Sequence, residues 1–184
     1  MVAPMPASEP SPPATRHRRQ AQDDEVLKPL WELLEQVLDP EIPVLSICDL
    51  GILQNIEMDG EAVTVTITTT YSGCPAMDMI GDEIRQVLAG AGYPQATVKH
   101  QLAPAWTTDW ISAEGRRKLR EYGIAPPAQG TRSKRALRGD DPLVPCPLCA
   151  STRTERVSEF GSTACKALYQ CQDCREPFDY FKCI

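Results

Sequence analysis

Long apolar runs are missing from this sequence of 184 residues, and none approaches the roughly 20 residues that a membrane-spanning helix needs. The first 22 residues also lack the apolar segment of a secretory signal, and five of the first 13 are proline. We therefore predict a disordered tail over residues 1–22 and a cytoplasmic protein with no membrane partner.

Several kinds of functional motif are absent as well. The sequence has two histidines and contains neither a phosphate-binding loop nor a dinucleotide fingerprint. His17 lies in the tail and His100 stands alone in a predicted strand, so no catalytic constellation is assigned. The net charge of -6 argues against nucleic acid as a partner of the whole chain.

After the tail, residues 23–124 have the alternating pattern of a small α/β domain. The segment DDEVLKPLWELLEQVLDPEIP has apolar residues at three- and four-residue steps, which predicts an amphipathic helix that ends at Pro40. The next segment, ICDLGILQNIEMDGEAVTVTITTT, has the pattern of a β-hairpin around the turn signal Asp59-Gly60.

The other elements of this domain are a helix from Pro75 to about Ala89, a strand in ATVKHQL and a basic helix in SAEGRRKLREYG. The predicted order is therefore α-β-β-α-β-α. Because a strand–helix–strand unit forms a right-handed crossover, at least two strands should run parallel in a mixed three-stranded sheet. The predicted fold class is thus α/β (α+β), followed by a second, smaller unit.

The smaller unit is a predicted zinc ribbon. Residues 125–141 are rich in Pro, Gly, Ser, Arg and Lys, which predicts a linker, and residues 142–184 are too few to bury a core unaided. Two Cys-x-x-Cys pairs with 21 residues between them have the zinc-ribbon pattern. Because four protein ligands leave no position for water, the Zn²⁺ should be structural. Its predicted ligands are Cys146, Cys149, Cys171 and Cys174.

Two further cysteines, Cys165 and Cys183, have no assigned role. They could take part in a second metal or iron–sulfur site, or they could be small buried residues that pack with Phe160, Tyr169, Phe178 and Phe181. A ribbon can also bind nucleic acid, but from Leu143 onward five Lys and Arg residues are balanced by five Asp and Glu. We therefore predict no nucleic-acid partner for the ribbon.

Cys74 stands at the junction of a predicted strand and helix, in TTTYSGCPAMDMIGDEI. With Pro75 as the first helical residue, Cys74 would be the N-cap, where unpaired N–H groups and the helix dipole favour a thiolate. Asp78 and Asp82 lie on the same helix and oppose that effect. From the residues alone, a structural cysteine at a tight turn and a working thiolate are equally good interpretations.

Three other groups of residues could converge on Cys74. Asp39-Pro40-Glu41 presents two carboxylates at the end of the first helix, and Cys48-Asp49 adds a thiol and a carboxylate at the start of the first predicted strand. Asp109 follows the third strand, between two tryptophans that we expect to pack. Carboxylates and thiolates are sound ligands for iron or zinc, although a carboxylate at a helix end is more often a cap.

The motifs DPEIPVLSICDLGIL, TTTYSGCP and PAWTTDWIS together resemble the metal–sulfur cluster assembly family of small α/β proteins, over residues 25–127. Members of that family serve in iron–sulfur protein maturation. The resemblance puts the family's reactive cysteine on Cys74 and its acidic signature on Asp39-Pro40-Glu41. It transfers no role to Cys48 or Cys165.

The longer pattern, which adds GIAPP and FGSTACKALYQCQDCREPFDYFKC, resembles one branch of this family that accompanies a bacterial phenylacetyl-CoA epoxidase system. The resemblance implies an accessory, non-catalytic role in phenylacetate degradation, with the oxygenase and reductase subunits as partners. It also implies structural Zn²⁺ and a transient iron or iron–sulfur cluster on Cys74. A docking subunit whose only metal is zinc, a thiol-dependent enzyme and a homo-oligomer remain as alternatives.

Overall fold

The computed structural model describes residues 25–70, 74–127 and 143–182. The predicted tail, most of the predicted linker and Cys183 lie outside these residues. The helices are α1 (Lys28–Leu34), α2 (Ala76–Gly90) and α3 (Ala113–Glu121), with a 3₁₀ turn at Thr108–Trp110. The strands are β1 (Leu53–Asp59), β2 (Ala62–Thr68), β3 (Thr97–Gln101), β4 (Ile124–Ala125), β5 (Thr154–Ser158), β6 (Lys166–Cys171) and β7 (Pro177–Phe181).

The first sheet has the order β1-β2-β3 and confirms the predicted mixed topology. β1 and β2 are antiparallel, while β2 and β3 are parallel and are joined through α2. The hairpin turn is shifted by one residue from its predicted position, because Asp59 pairs with Ala62 and leaves Gly60 and Glu61 as the loop. Gly60 has φ +60°, a conformation that suits the first position of a two-residue hairpin loop.

Helix α1 is shorter than the sequence predicted. It begins at Lys28, because Pro29 has no N–H to donate and is tolerated only in the first turn of a helix. At the other end, the N–H of Val37 bonds the carbonyl of Leu34 at 3.2 Å, so the last turn tightens before the chain leaves the helix. Val26 and Leu38, which fit the predicted apolar face, are exposed in consequence.

The predicted N-cap of α2 is wrong by one residue. Helix α2 begins at Ala76 and its N-cap is Pro75, whose φ of -69° and ψ of -18° are already helical. Cys74 precedes the cap, and its carbonyl accepts a hydrogen bond from the N–H of Met77 at 3.3 Å. The Cys74 thiol therefore stands just outside the first turn of the helix rather than within its cap.

The second sheet, of order β4-β7-β6-β5, combines the ribbon with a strand from the α/β domain. Strands β5, β6 and β7 are antiparallel, whereas β4 lies parallel to β7, with Ala125 opposite Tyr180. Ala125, where composition predicted the start of the linker, is thus part of the ribbon sheet. The two units share a continuous hydrogen-bonded surface.

The buried residues form two hydrophobic clusters. The larger lies between the first sheet and the helices, and it also includes Cys165 and Phe181 from the ribbon. The smaller lies inside the ribbon and contains the metal-site cysteines Cys146 and Cys171. Phe160, expected to pack beside Cys165, is 65% exposed instead. In the part of the chain that the structure describes, no helix is long and apolar enough to cross a membrane.

Candidate metal centre and sheet-edge site

The four predicted zinc ligands converge in the structure. The sulfur atoms of Cys146, Cys149, Cys171 and Cys174 all lie within 4.8 Å of one another. The distance is 3.7 Å between Cys146 and Cys174 and 3.6 Å between Cys149 and Cys171. Tetrahedral zinc with bonds of about 2.3 Å separates its sulfur ligands by about 3.8 Å. The two sulfur separations are close to this value, so the donor set suits a thiolate-binding ion of this size.

The two Cys-x-x-Cys turns have the same backbone geometry. In each, the N–H of the first cysteine bonds the carbonyl five residues later, from Cys146 to Ser151 at 2.9 Å and from Cys171 to Glu176 at 3.0 Å. In each, a non-glycine residue with positive φ follows the second cysteine, Ala150 at 61° and Arg175 at 66°. That conformation is unfavourable for such residues, so each turn carries a local backbone cost.

Hydrogen bonds among these thiols shift their ionisation in opposite directions. The backbone N–H of Cys174, together with the neighbouring thiols, lowers the pKa of the Cys171 thiol to about 7, whereas burial and the other three thiols raise the pKa of the Cys174 thiol to about 12. Metals bind the thiolate, so Cys171 is the member of this pair that is ready for a metal at neutral pH.

A second group of predicted residues lies at one edge of the first sheet. Leu53 at the start of β1 pairs with Ile67 near the end of β2, and Thr68 pairs with Gln101 at the end of β3. The chain therefore enters β1 and leaves β2 and β3 on this side of the sheet, and the segment after β3 carries Asp109. We call this region the sheet edge. The carboxyl ends of parallel strands are where ligands commonly bind in α/β folds.

Asp39 holds a turn beside the sheet edge. Its Oδ1 accepts hydrogen bonds from the N–H groups of Glu41 and Ile42, both at 2.8 Å, and its own N–H bonds the carbonyl of Leu45 at 2.9 Å. Burial raises the pKa of the Asp39 carboxyl, although the two N–H bonds oppose that rise. Asp39 is thus a cap of the turn, and the turn presents the Glu41 side chain.

Asp49 is likewise a connecting residue. Its carboxylate accepts hydrogen bonds from the Ser112 hydroxyl at 3.0 Å and from the Lys118 amine at 2.6 Å, so it ties α3 to the segment before β1. Burial by itself would raise the pKa of Asp49. The bonds from Lys118, the Ser46 N–H and Ser112 outweigh burial and lower that pKa below its ordinary value.

The ribbon reaches the turn through Cys165. The Sγ of Cys165 lies 3.8 Å from the Oε2 of Glu41 and 3.1 Å from the Oγ1 of Thr163. Burial, and then the charges of Glu41 and Asp39, raise the pKa of the Cys165 thiol. The thiol is therefore protonated at neutral pH and donates to the Glu41 carboxylate. The adjacent Lys166 is buried too, with its amine 3.8 Å from the Asp179 carboxylate.

One further contact joins the ribbon to the α/β domain, and another joins the segment after β4 to the same domain. The rings of Trp106 and Phe181 lie 6.1 Å apart between centroids, and the Trp106 indole donates to the carbonyl of Leu50 at 2.9 Å. The buried guanidinium of Arg116 donates to the carbonyls of Thr108 and Pro127, both at 2.5 Å. The segment that carries Asp109 is thereby fixed to the residues that follow β4.

The structure separates the remaining predicted site residues. Cys48 is buried in the main core and is a packing residue. Cys74 is half-buried just before α2 and packs against the main core, while Asp109 is exposed and its N–H bonds the Thr107 hydroxyl at 3.0 Å. Cys183 lies outside the described residues. The structure assigns a turn contact to Asp39 and a core position to Cys48, and the convergence of Cys74, Glu41 and Asp109 on one site stays a prediction.

Sequence reasoning missed the contact between Cys165 and Glu41 and the internal position of Lys166. No periodicity or spacing connects positions 124 residues apart, so only the docking of the ribbon could reveal the contact between Cys165 and Glu41. The burial of Lys166 has a weak signal in its position between Cys165 and an apolar strand. Buried lysines are rare, so the pattern alone does not predict it.

Comparisons with known proteins agree with the division of the chain into an α/β domain and a zinc ribbon. Residues 28–99 match the family described as iron-sulfur cluster assembly protein, and residues 130–182 match the family described as PaaD zinc beta ribbon domain. An Fe-S protein maturation auxiliary factor of Bacillus subtilis is 40% identical over 81 residues, which are 43% of this chain and 78% of that protein.

Two solved structures are similar to part of this chain. A domain of unknown function, DUF59, from Bacillus anthracis has a TM-score of 0.47 and 24% identity, covering 58% of this chain and 96% of that one. A protein of Mycobacterium tuberculosis associated with [Fe-S] complex assembly and repair has a TM-score of 0.33 and 30% identity, covering 66% and 98%.

The similarity that extends through both units is to an Escherichia coli K12 protein described as a putative subunit of 1,2-phenylacetyl-CoA epoxidase. It is 54% identical over 155 residues, which are 84% of this chain and 92% of that protein. An identity this high over nearly all of both chains, together with the match of the ribbon, means that this chain belongs to the PaaD family of phenylacetyl-CoA epoxidase subunits.

Proposed function

We propose that this protein is an accessory subunit of a phenylacetyl-CoA epoxidase system that helps to assemble or insert iron or an iron–sulfur cluster in the oxygenase–reductase complex. The observation that carries the proposal is the placement of Cys74. It is a half-buried thiol just before α2, packed against the main core and inside the region that matches the iron-sulfur cluster assembly family. The match to the Escherichia coli protein supports the phenylacetate pathway as the setting.

Cys74 is the proposed exchangeable ligand of the cargo. It precedes a helix of 15 residues, whose positive end favours a thiolate, although Asp78 in the first turn weakens that effect. A factor that hands over its cargo needs a weak site, and one thiolate with nearby oxygen donors is weaker than a cage of four thiolates. Glu41 and Asp109 are the proposed oxygen donors, because Asp39 is engaged in its turn.

The ribbon has a different proposed role. Its four converging sulfurs support a structural Zn²⁺ that folds residues 143–182 and leaves no open coordination position. The ribbon would hold the α/β domain in place and dock onto the other subunits of the complex.

Substitution of Cys74 by serine in a co-expressed epoxidase system tests the proposal. The iron content of the purified oxygenase–reductase complex and its rate of phenylacetyl-CoA epoxidation should both fall about tenfold or more, because one oxygen cannot replace a soft thiolate ligand. The zinc content and melting temperature of the variant should match those of the wild type. Full iron loading with unchanged copurification would instead support a docking subunit whose only metal is zinc.

A further inference from the structure

We propose that the metal site of the ribbon controls access to the sheet edge, because the ion and the Cys165–Glu41 contact stabilise the same two strands. Metal loading keeps the ribbon closed over Glu41, and metal loss releases Cys165 and opens the edge. The coupling between the metal site and the Cys165–Glu41 contact rests only on the proposed Zn²⁺ site. The use of that coupling in cargo handling rests on the whole proposed function.

Strand β6 connects Cys165 to the metal site. The strand has Cys171, a proposed ligand, at its last residue, and Cys165 immediately precedes its first residue, Lys166. At about 3.3 Å per residue, the two cysteines are roughly 20 Å apart along one strand. The ion and the contact with Glu41 therefore lie at opposite ends of the same strand.

Strand β7 repeats this arrangement. It begins at Pro177, just after Cys174, and ends at Phe181, whose ring packs against Trp106 of the α/β domain. Between these ends β7 pairs with β6, and the N–H of Lys182 bonds the carbonyl of Cys165 at 3.0 Å. Both strands thus run from the metal site to the interface.

The order of these two strands depends on the metal. The ribbon's own cluster holds few buried residues, and Cys146 and Cys171 are among them. A unit this small does not keep its fold when its structural metal is removed. When β6 and β7 lose their order, Cys165 and Phe181 leave the main core, where they are only 5% and 1% exposed. The thiol and the Glu41 carboxylate then become accessible.

The link must act in both directions. If the metal stabilises the closed interface, the closed interface raises the affinity for the metal by the same factor. A substitution at the interface, far from the four sulfurs, should therefore weaken metal binding.

Alkylation of the full chain, with bound Zn²⁺ and after chelation, tests the inference. Cys165 is the only cysteine between Arg156 and Lys166, so one tryptic peptide reports its modification by N-ethylmaleimide. Chelation should increase the rate of Cys165 modification about tenfold or more, through opening of the ribbon alone. Cys48, equally buried in the α/β core, is the internal control and should stay protected. Continued protection of Cys165, or equal exposure of Cys48, would overturn the proposal.

A pair of variants tests the reverse direction. Phe181→Leu should weaken Zn²⁺ binding several-fold in a competition titration, because it reduces the contact with Trp106. Phe160→Leu, at an exposed position of the same ribbon, is the matched control and should bind Zn²⁺ like the wild type. Wild-type affinity in Phe181→Leu would contradict the link. Neither test uses Cys74 or epoxidation, so each can fail independently of the cargo role.

Discussion

The Sγ of Cys165 lies 3.8 Å from the Oε2 of Glu41, although 124 positions of the chain separate the two residues. This contact joins a residue of the ribbon to the turn that Asp39 caps. The ribbon is therefore packed onto the α/β domain at the sheet edge. Residues from both units line that edge, so a change in the ribbon can alter it.

The close approach of α3 to Asp49 leads to the first prediction. A Cβ added at Gly115 would lie 3.0 Å from the Asp49 carbonyl oxygen and 3.1 Å from the Asp49 Cβ. Alanine favours a helix by up to about 1 kcal/mol over glycine, but overpacking costs about 1–3 kcal/mol. Gly115→Ala should therefore lower the free energy of unfolding by about 1–2 kcal/mol.

Gly90→Ala is the matched control for Gly115→Ala. Gly90 is the last residue of α2, and nothing lies within 4 Å of an added Cβ. Chemical denaturation should show it to be as stable as the wild type or more stable by about 0.5 kcal/mol. Equal effects of the two substitutions would contradict the packing of α3 against Asp49.

The second prediction concerns the Asp39 turn. Asp39→Ala removes the acceptor of two N–H groups and should cost about 1–3 kcal/mol of unfolding free energy. Asp39→Asn keeps a side-chain oxygen in the same place and should cost much less. Thermal melting at fixed pH compares the two. An asparagine variant as unstable as the alanine variant would show that the acceptor oxygen is not what holds the turn.

The raised pKa of Asp39 gives the third prediction, with a defined sign. Because burial raises the pKa in the folded state, the protonated carboxyl is favoured by folding. Its contribution to stability is present below the unfolded pKa and is lost as pH rises through the folded pKa. Asp39→Asn cannot ionise. Its free energy of unfolding should therefore rise relative to that of the wild type as pH increases from the unfolded pKa to the folded pKa of Asp39.

Asp49 should behave in the opposite way, which is the fourth prediction. Its pKa is lowered in the folded state, so its contribution is present above the unfolded pKa and is lost as pH falls through the folded pKa. Asp49→Asn should lower the unfolding free energy at neutral pH by about 2 kcal/mol, since it weakens a charge-assisted bond to Lys118. The loss should shrink in acid.

Asp82→Asn is the control for Asp49→Asn. Asp82 forms an exposed ion pair with Arg85 at 2.6 Å, and such pairs contribute little. The unfolding free energy of Asp82→Asn, measured by urea titration at several pH values from neutral to acid, should stay close to that of the wild type. A profile for Asp49→Asn that matches this control would contradict the anchoring role of Asp49.

The elements of the α/β domain could be predicted because each rests on a local pattern. The alternation of Val63, Val65 and Ile67 matched β2, and the parallel pairing of β2 with β3 followed from a rule of chain handedness. Two helix starts were predicted less well. Pro29 moved the start of α1 by a hydrogen-bonding effect that periodicity does not include, and α2 begins one residue after Pro75, the predicted first helical residue. The metal centre could also be predicted, since the spacing of its ligands is local.

The sheet edge could be predicted only in part. Topology predicts only that Cys74 and Asp109 follow the parallel strands β2 and β3, whereas the contact of Cys165 with Glu41 depends on how the ribbon docks. The division of the carboxylates into Asp39, which holds a turn, and Glu41, which faces the ribbon, depends on hydrogen-bond directions that no residue pattern encodes.

Anaerobic reconstitution most directly tests the claim that Cys74 carries the cargo. The purified wild type and Cys74→Ser would each be incubated with ferric iron, sulfide and a thiol reductant and then desalted. Zinc, iron and the visible absorption spectrum would be measured for both. We expect one zinc per chain in both proteins, with iron and charge-transfer absorption in the wild type that the variant loses. Zinc alone in the wild type, or equal iron in the two proteins, would contradict the claim.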